Sequence, residues 1–141
     1  MPALPKIKPR LIAAAGQARL GGDELDRRLL NYLLELFERT YGFSLAEDAH
    51  SLARLRVAAE RAKRDLCERE TVALSVPSLG VPGGTPLTLE TELSREQFEL
   101  LVEDALLKTF EQVDIALRDA RLSAAELDAV LLSGGGAQVP L

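Results

Sequence analysis

Glu60, Lys63, Arg64 and Cys67 follow one another at spacings of three, one and three residues. A helix would bring them onto one face, because positions three and four apart are neighbours on a helix surface. Such a face has usable chemistry. A carboxylate accepts hydrogen bonds from sugar hydroxyls, and a guanidinium stacks on a flat ring. The plainer reading is a solvated charged face carrying a Glu60–Arg64 pair worth ~0.3–0.5 kcal/mol, and spacing alone favours it. A second place with chemical content is Leu132-Ser133-Gly134-Gly135-Gly136, an apolar run that meets three glycines. Glycines let backbone pass close to a ligand and leave amides free to donate. Taken alone, such a run is more often a loop than a site. No Lys-Ser or Lys-Thr follows it, so it is not a phosphate-binding P-loop.

Other candidates carry less. His50 stands beside Asp48 in a polar stretch and reads as a surface residue. Cys67 reads as a small packed side chain rather than a nucleophile. No Ser–His–Asp set or carboxylate pair can be argued from spacing. With one Cys and one His, neither a disulfide nor a zinc site is expected. The net charge of −5 argues against general nucleic-acid binding. No apolar run approaches the roughly 18 residues of a membrane helix, and Met1 to Lys6 lacks the apolar stretch of a signal peptide. A cytoplasmic location is the default expectation.

The elements that would position these residues follow from pattern. The chain's 141 residues, 47% hydrophobic and 28% charged, suit one globular α+β domain. Residues 1–10 hold Pro2, Pro5 and Pro9 and read as an irregular arm; residues 11–141 form the domain. Leu11–Ala15 is a candidate strand. Leu20-Gly21-Gly22-Asp23 is a turn with Asp23 as N-cap, opening a helix on Leu25, Leu29, Tyr32, Leu33, Leu36 and Phe37 that Gly42 stops. A second helix is expected from about Ala46 to Cys67, with Leu52, Leu55, Ala59, Ala62 and Leu66 as its buried stripe. Thr71–Val76, ending at Pro77, and the alternating Leu87–Leu93 read as a hairpin across the turn at Gly80, Pro82, Gly83 and Gly84. Ser94-Arg95-Glu96-Gln97 is a capping box; its helix is expected to bend or break midway. Ser123–Glu126 is a second capping box and opens a short helix. Ala129–Leu132 fits a buried strand.

Several segments together resemble one family. Ala14 to Asp26 is similar to the glycine turn and helix start of the seventy-kilodalton heat-shock chaperones, the DnaK family. Arg54 to Leu66 resembles that family's adenosine-contacting helix, and Leu93 to Glu99 the start of its next helix. Ala116 to Ala120, then Asp128 to Gly135, resemble the approach to its late glycine signature. Order and approximate spacing agree from about Leu11 to Leu141. The resemblance implies one lobe of an actin-like ATPase fold, with several amphipathic helices on a small, mainly antiparallel sheet. It implies ATP or ADP as ligand, with Glu60 and Lys63 at the ribose, Arg64 stacked on adenine and Cys67 near the base edge. Gly134 and Gly135 would approach from the opposite wall. Gln138 stands where the family has Arg, Ala137 where it has Thr or Ser, and Arg19 where it has His.

The family's phosphate loops, catalytic acids and metal-binding residues all precede the matched stretch, so the resemblance implies neither hydrolysis nor a metal site here. Nucleotide binding would be weak, or confined to a full-length parent. Implied partners are the remaining lobes of the ATPase domain and a nucleotide-exchange factor, for which the same lobe could be a binding module without nucleotide. A divergent actin-like ATPase with no chaperone role is a further alternative. The candidate strands Leu11–Ala15 and Val130–Leu132, deprived of sheet neighbours, would favour weak self-association.

Overall fold

The computed structural model describes residues 8–80 and 84–139. The expected arm over residues 1–7 and the centre of the hairpin turn, 81–83, lie outside the described residues. The order is α1 (Gly22–Tyr41), α2 (Ala49–Glu68), β1 (Thr71–Leu79), β2 (Leu87–Ser94) and α3 (Arg95–Ala120), then short 3-10 turns at Ala124–Glu126 and Gly135–Gln138. Three helices pack around a two-stranded antiparallel sheet, the α+β class expected.

The first two helices bury most of the stripe their periodicity marks out, but in α2 Leu52 is only half-buried and Ser51 beside it is buried instead. Leu25, Leu29, Leu33 and Phe37 of α1 are buried, as are Leu55, Ala59, Ala62 and Leu66 of α2. Gly42 ends α1 in the left-handed region at φ 81°, where glycine carries no steric penalty. Two helix starts differ from expectation. Gly21, not Asp23, is the N-cap of α1, and Asp23 lies in the first turn beside Glu24, where acids favour the positive end of the helix dipole. Asp48 is the N-cap of α2, so that helix begins at Ala49 rather than Ala46. Its carboxylate accepts from the amides of His50 and Ser51, two of the donors a helix start leaves without partners.

The hairpin is as expected but longer. Val72, Leu74, Val76 and Leu79 point inward from β1, and Leu89 and Leu93 from β2, the period-2 pattern of a half-buried sheet. β1 runs past Pro77. Between the pairs Val76–Leu89 and Leu79–Leu87 the register slips, and Ser78 takes φ 59° there. The extra residue forms a bulge, which accommodates a proline that has no amide to give the ladder.

Ser94 caps α3 in a complete capping box with Gln97. The helix does not break midway. It runs continuously for 26 residues, since no glycine or proline interrupts it. Only its first half packs on the core, through Phe98, Val102 and Ala105.

Two expected strands are absent. Leu11–Ala15 and Val130–Leu132 adopt no strand. Leu11 is 81% exposed and Leu131 92%. A strand exists through its ladder, and neither run has a pairing partner among the described residues. Their apolar composition is that of segments that bury against something, and among the described residues their large side chains stay uncovered.

Candidate functional site

The polar face of α2 is held by its neighbours. Arg64 pairs with Glu60 one turn earlier on the helix. Lys63 turns instead toward α1. Its ammonium stands 2.8 Å from Asp26 Oδ1 and donates to the Gly22 carbonyl at 3.3 Å. Both side chains are largely closed to solvent, at 16% and 18% exposure. Asp26 Oδ1 takes no regular hydrogen bond, so the nearby ammonium is what compensates its burial. A Cβ at Gly22 would sit 3.3 Å from Lys63 Nζ, so glycine there leaves the ammonium room to reach the backbone. Cys67 Sγ lies 3.3 Å from the Lys63 carbonyl, a contact along the helix that directs the thiol's weak donor into its own backbone.

Opposite α2 runs the glycine-rich segment. Gly134 takes φ 88° and starts the 3-10 turn Gly135–Gln138, closed by hydrogen bonds from Ala137 to Gly134 and from Val139 to Gly136. Val139 is half-buried and packs on the core, which fixes the turn against the lobe.

Between these walls is a cleft of about 470 Å³. Lys63, Arg64 and Cys67 line it from α2, Gly135 and Gln138 from the turn, with Gly22 and Leu25 at its floor. Residues far apart in the chain, singled out for their chemistry, therefore meet around one space. Two do not share it directly. Glu60 faces a neighbouring hollow with Asp26 and Arg56, touching the cleft through its pair with Arg64. Gly134 stands at the base of the turn rather than in the wall. Gly136 of the same glycine run also lines the cleft, as does Glu68, which was not anticipated. His50 is exposed, as expected.

The cleft is not the largest hollow. A groove of about 710 Å³ runs between α2 and β1, past Arg54, Val57, Arg61, Val72 and Pro77. It is more open, and its lining is mixed: His50, Arg54, Arg61, Asp65 and Arg69 share it with Val57, Val72 and Val76. Among the described residues, no three His, Cys, Asp or Glu side chains converge as a metal ion would need. No helix among them is long and apolar enough to cross a membrane.

Comparison with known proteins settles the family. The profile of the Hsp70 protein family matches residues 8–141. The chain belongs to the Hsp70 family. Among curated Hsp70 relatives, the Chaperone protein DnaK of Thermotoga petrophila is 41% identical over 132 residues, covering 93% of this chain and 22% of that protein. The DnaK of Thermotoga maritima matches equally, and that of Thermosipho melanesiensis is 38% identical over 132 residues, 94% of this chain and 22% of its own length. The chain thus spans about a fifth of the Hsp70 relatives it matches. Its three helices on an antiparallel hairpin agree with one lobe of the actin-like ATPase fold.

Proposed function

We propose that this chain is the adenosine-side lobe of a DnaK-like chaperone ATPase domain, contributing nucleoside contacts but no phosphate or metal site. What carries the reading is the meeting of Lys63, Arg64 and Cys67 with Gly135 and Gln138 around one cleft. These are the positions the family resemblance assigns to the nucleoside, and they come from the middle and the far end of the sequence. Lys63 supplies a donor for ribose hydroxyls, with Glu60 as the adjoining acceptor. Arg64 supplies a flat cation for the base, and the turn at Gly135 approaches with bare backbone. Gln138 offers an amide where a second stacking cation would add roughly 0.5–2 kcal/mol. Phosphoryl transfer rests on positioning and charge neutralisation around the phosphates, and the groups doing so lie in parts of the family upstream of this stretch. In a whole protein the activity would be ATP-dependent chaperoning in the cytoplasm.

Calorimetry with adenosine, ADP and ATP tests this. The expected result is millimolar binding, about −4 kcal/mol, similar for all three ligands and without hydrolysis. Micromolar affinity that rises with phosphate number would overturn it.

A second reading has its own observation. The larger, more open groove between α2 and β1 lies away from the cleft and is lined by apolar and charged side chains together. It supports the lobe as a docking module for a nucleotide-exchange factor, a role compatible with the first.

A further inference from the structure

We infer that Asp26 is a positioning residue of the cleft: it holds and neutralises Lys63, so that the cleft selects the uncharged, hydroxyl-bearing part of a nucleoside over its phosphates. The inference rests on the nucleoside reading of the cleft and adds to it a residue from a different helix. Asp26 lies on α1, behind the wall that Lys63 forms. Its Oδ1 is closed to solvent with no regular hydrogen bond, and the ammonium 2.8 Å away is its compensation. A carboxylate buried in this way is unfavourable unless paired, so the pair is a constraint on where Lys63 can go. The Gly22 carbonyl accepts one ammonium hydrogen at 3.3 Å. An ammonium has three. With one on Gly22 and the ammonium drawn against Asp26, Lys63 turns its remaining donors to the cleft from a restrained position.

The charges follow the same pattern. Each cation lining the cleft from α2 has its own anion: Lys63 has Asp26 and Arg64 has Glu60. Glu68 adds a negative charge to the wall. The cleft therefore presents directed hydrogen-bond donors with little net positive potential, which suits hydroxyls and a base edge and gives a triphosphate nothing to approach. Asp26→Asn keeps the shape and removes the neutralisation. Lys63 would then be both looser and unpaired, poorer at orienting a ribose and more attractive to phosphate.

The test uses the whole chain with adenosine and ATP as probes, comparing wild type, D26N, K63M and the double variant. In D26N, adenosine affinity should fall about five- to tenfold while ATP affinity falls less or rises. In the Lys63→Met background, Asp26→Asn should change adenosine affinity less than about twofold, since the two residues act as one unit. Parallel losses for adenosine and ATP in D26N, or equal effects of Asp26→Asn with and without Lys63, would show a structural role only and overturn the inference. A nucleotide-free readout separates the two readings. Labelling by an amine-reactive reagent, mapped by peptide mass, should be slow at Lys63 in wild type and faster in D26N. Unchanged labelling overturns the inference. If wild type binds no adenosine, the nucleoside reading fails, and with it the selectivity; faster labelling in D26N would then uphold only the holding of Lys63 by Asp26.

Discussion

The Ser51 hydroxyl accepts the amide of Gly80 at 2.9 Å while donating to the Asp48 carboxylate. One buried side chain thus links the start of α2 to the end of β1. Gly80 has φ 49°, and a Cβ there would meet Leu45 and Phe43 at 3.0 Å, so neither partner can shift far. Ser51→Ala leaves the buried Gly80 amide without an acceptor, which costs about 1–3 kcal/mol. Urea unfolding should show a lower midpoint with an unchanged slope. A midpoint equal to wild type would mean that water replaces the hydroxyl.

Acid should weaken the joint between α1 and α3. The Arg28 guanidinium donates to Asp104 Oδ2 at 2.9 Å and to Glu24 Oε1 at 2.9 Å. Hydrogen bonds from Arg28 hold the Asp104 carboxyl below its ordinary pKa, and those from Arg27 and Arg28 do so for Glu24. The unfolded chain then binds more protons in acid. The stabilisation is complete above the unfolded carboxylate pKa of about 4 and is lost as pH falls through the lowered folded value. Asp104→Asn should be less stable than wild type at neutral pH, with the gap closing on acidification. A gap independent of pH would exclude the ion pair as its source.

The helices and hairpin were legible because their signals are local. Leu25, Leu29 and Leu33 repeat with the helix, Leu89 and Leu93 with the strand, and Ser94 with Gln97 is a cap written in four residues. Leu11–Ala15 and Val130–Leu132 misled because apolar composition tells that a segment wants cover but not whether a partner is within reach. The site was legible through Glu60, Lys63, Arg64 and Cys67 because one helix carries them. Gly135 stood out in its glycine run, but only family likeness brought it and Gln138 to the same site as α2, since no spacing ties them to that helix. Asp26 escaped notice because its pairing with Lys63 crosses between helices.

Changes at the cleft should act on the base and not on the phosphates. Arg64→Ala removes the flat cation, and adenosine binding should fall beyond detection by calorimetry. Gln138→Arg restores a second cation and should tighten binding by roughly 0.5–2 kcal/mol, equally for adenosine and ATP. Tightening for ATP alone would place Gln138 near phosphate instead.

Self-association should centre on α3 as well as on the open apolar runs. Leu107, Phe110 and Val113 are 55%, 58% and 52% exposed and recur every three residues along one side of the helix. Sedimentation should show concentration-dependent dimers, weakened by Phe110→Glu. A strict monomer at every concentration would contradict this.

The capping box that roots α3 in the hairpin has a mechanical consequence. Ser94 ends β2 and caps the helix, so strand and helix turn together at a stiff elbow. A helix of 26 residues at ~1.5 Å each is about 39 Å long, and its distal half is free of the core. It behaves as a lever arm: a tilt of about 10° at Ser94 sweeps Ala120 through about 7 Å. Anything gripping the far end of α3 would feel small rocking of the lobe as a large displacement, and could in turn rock the lobe with little force.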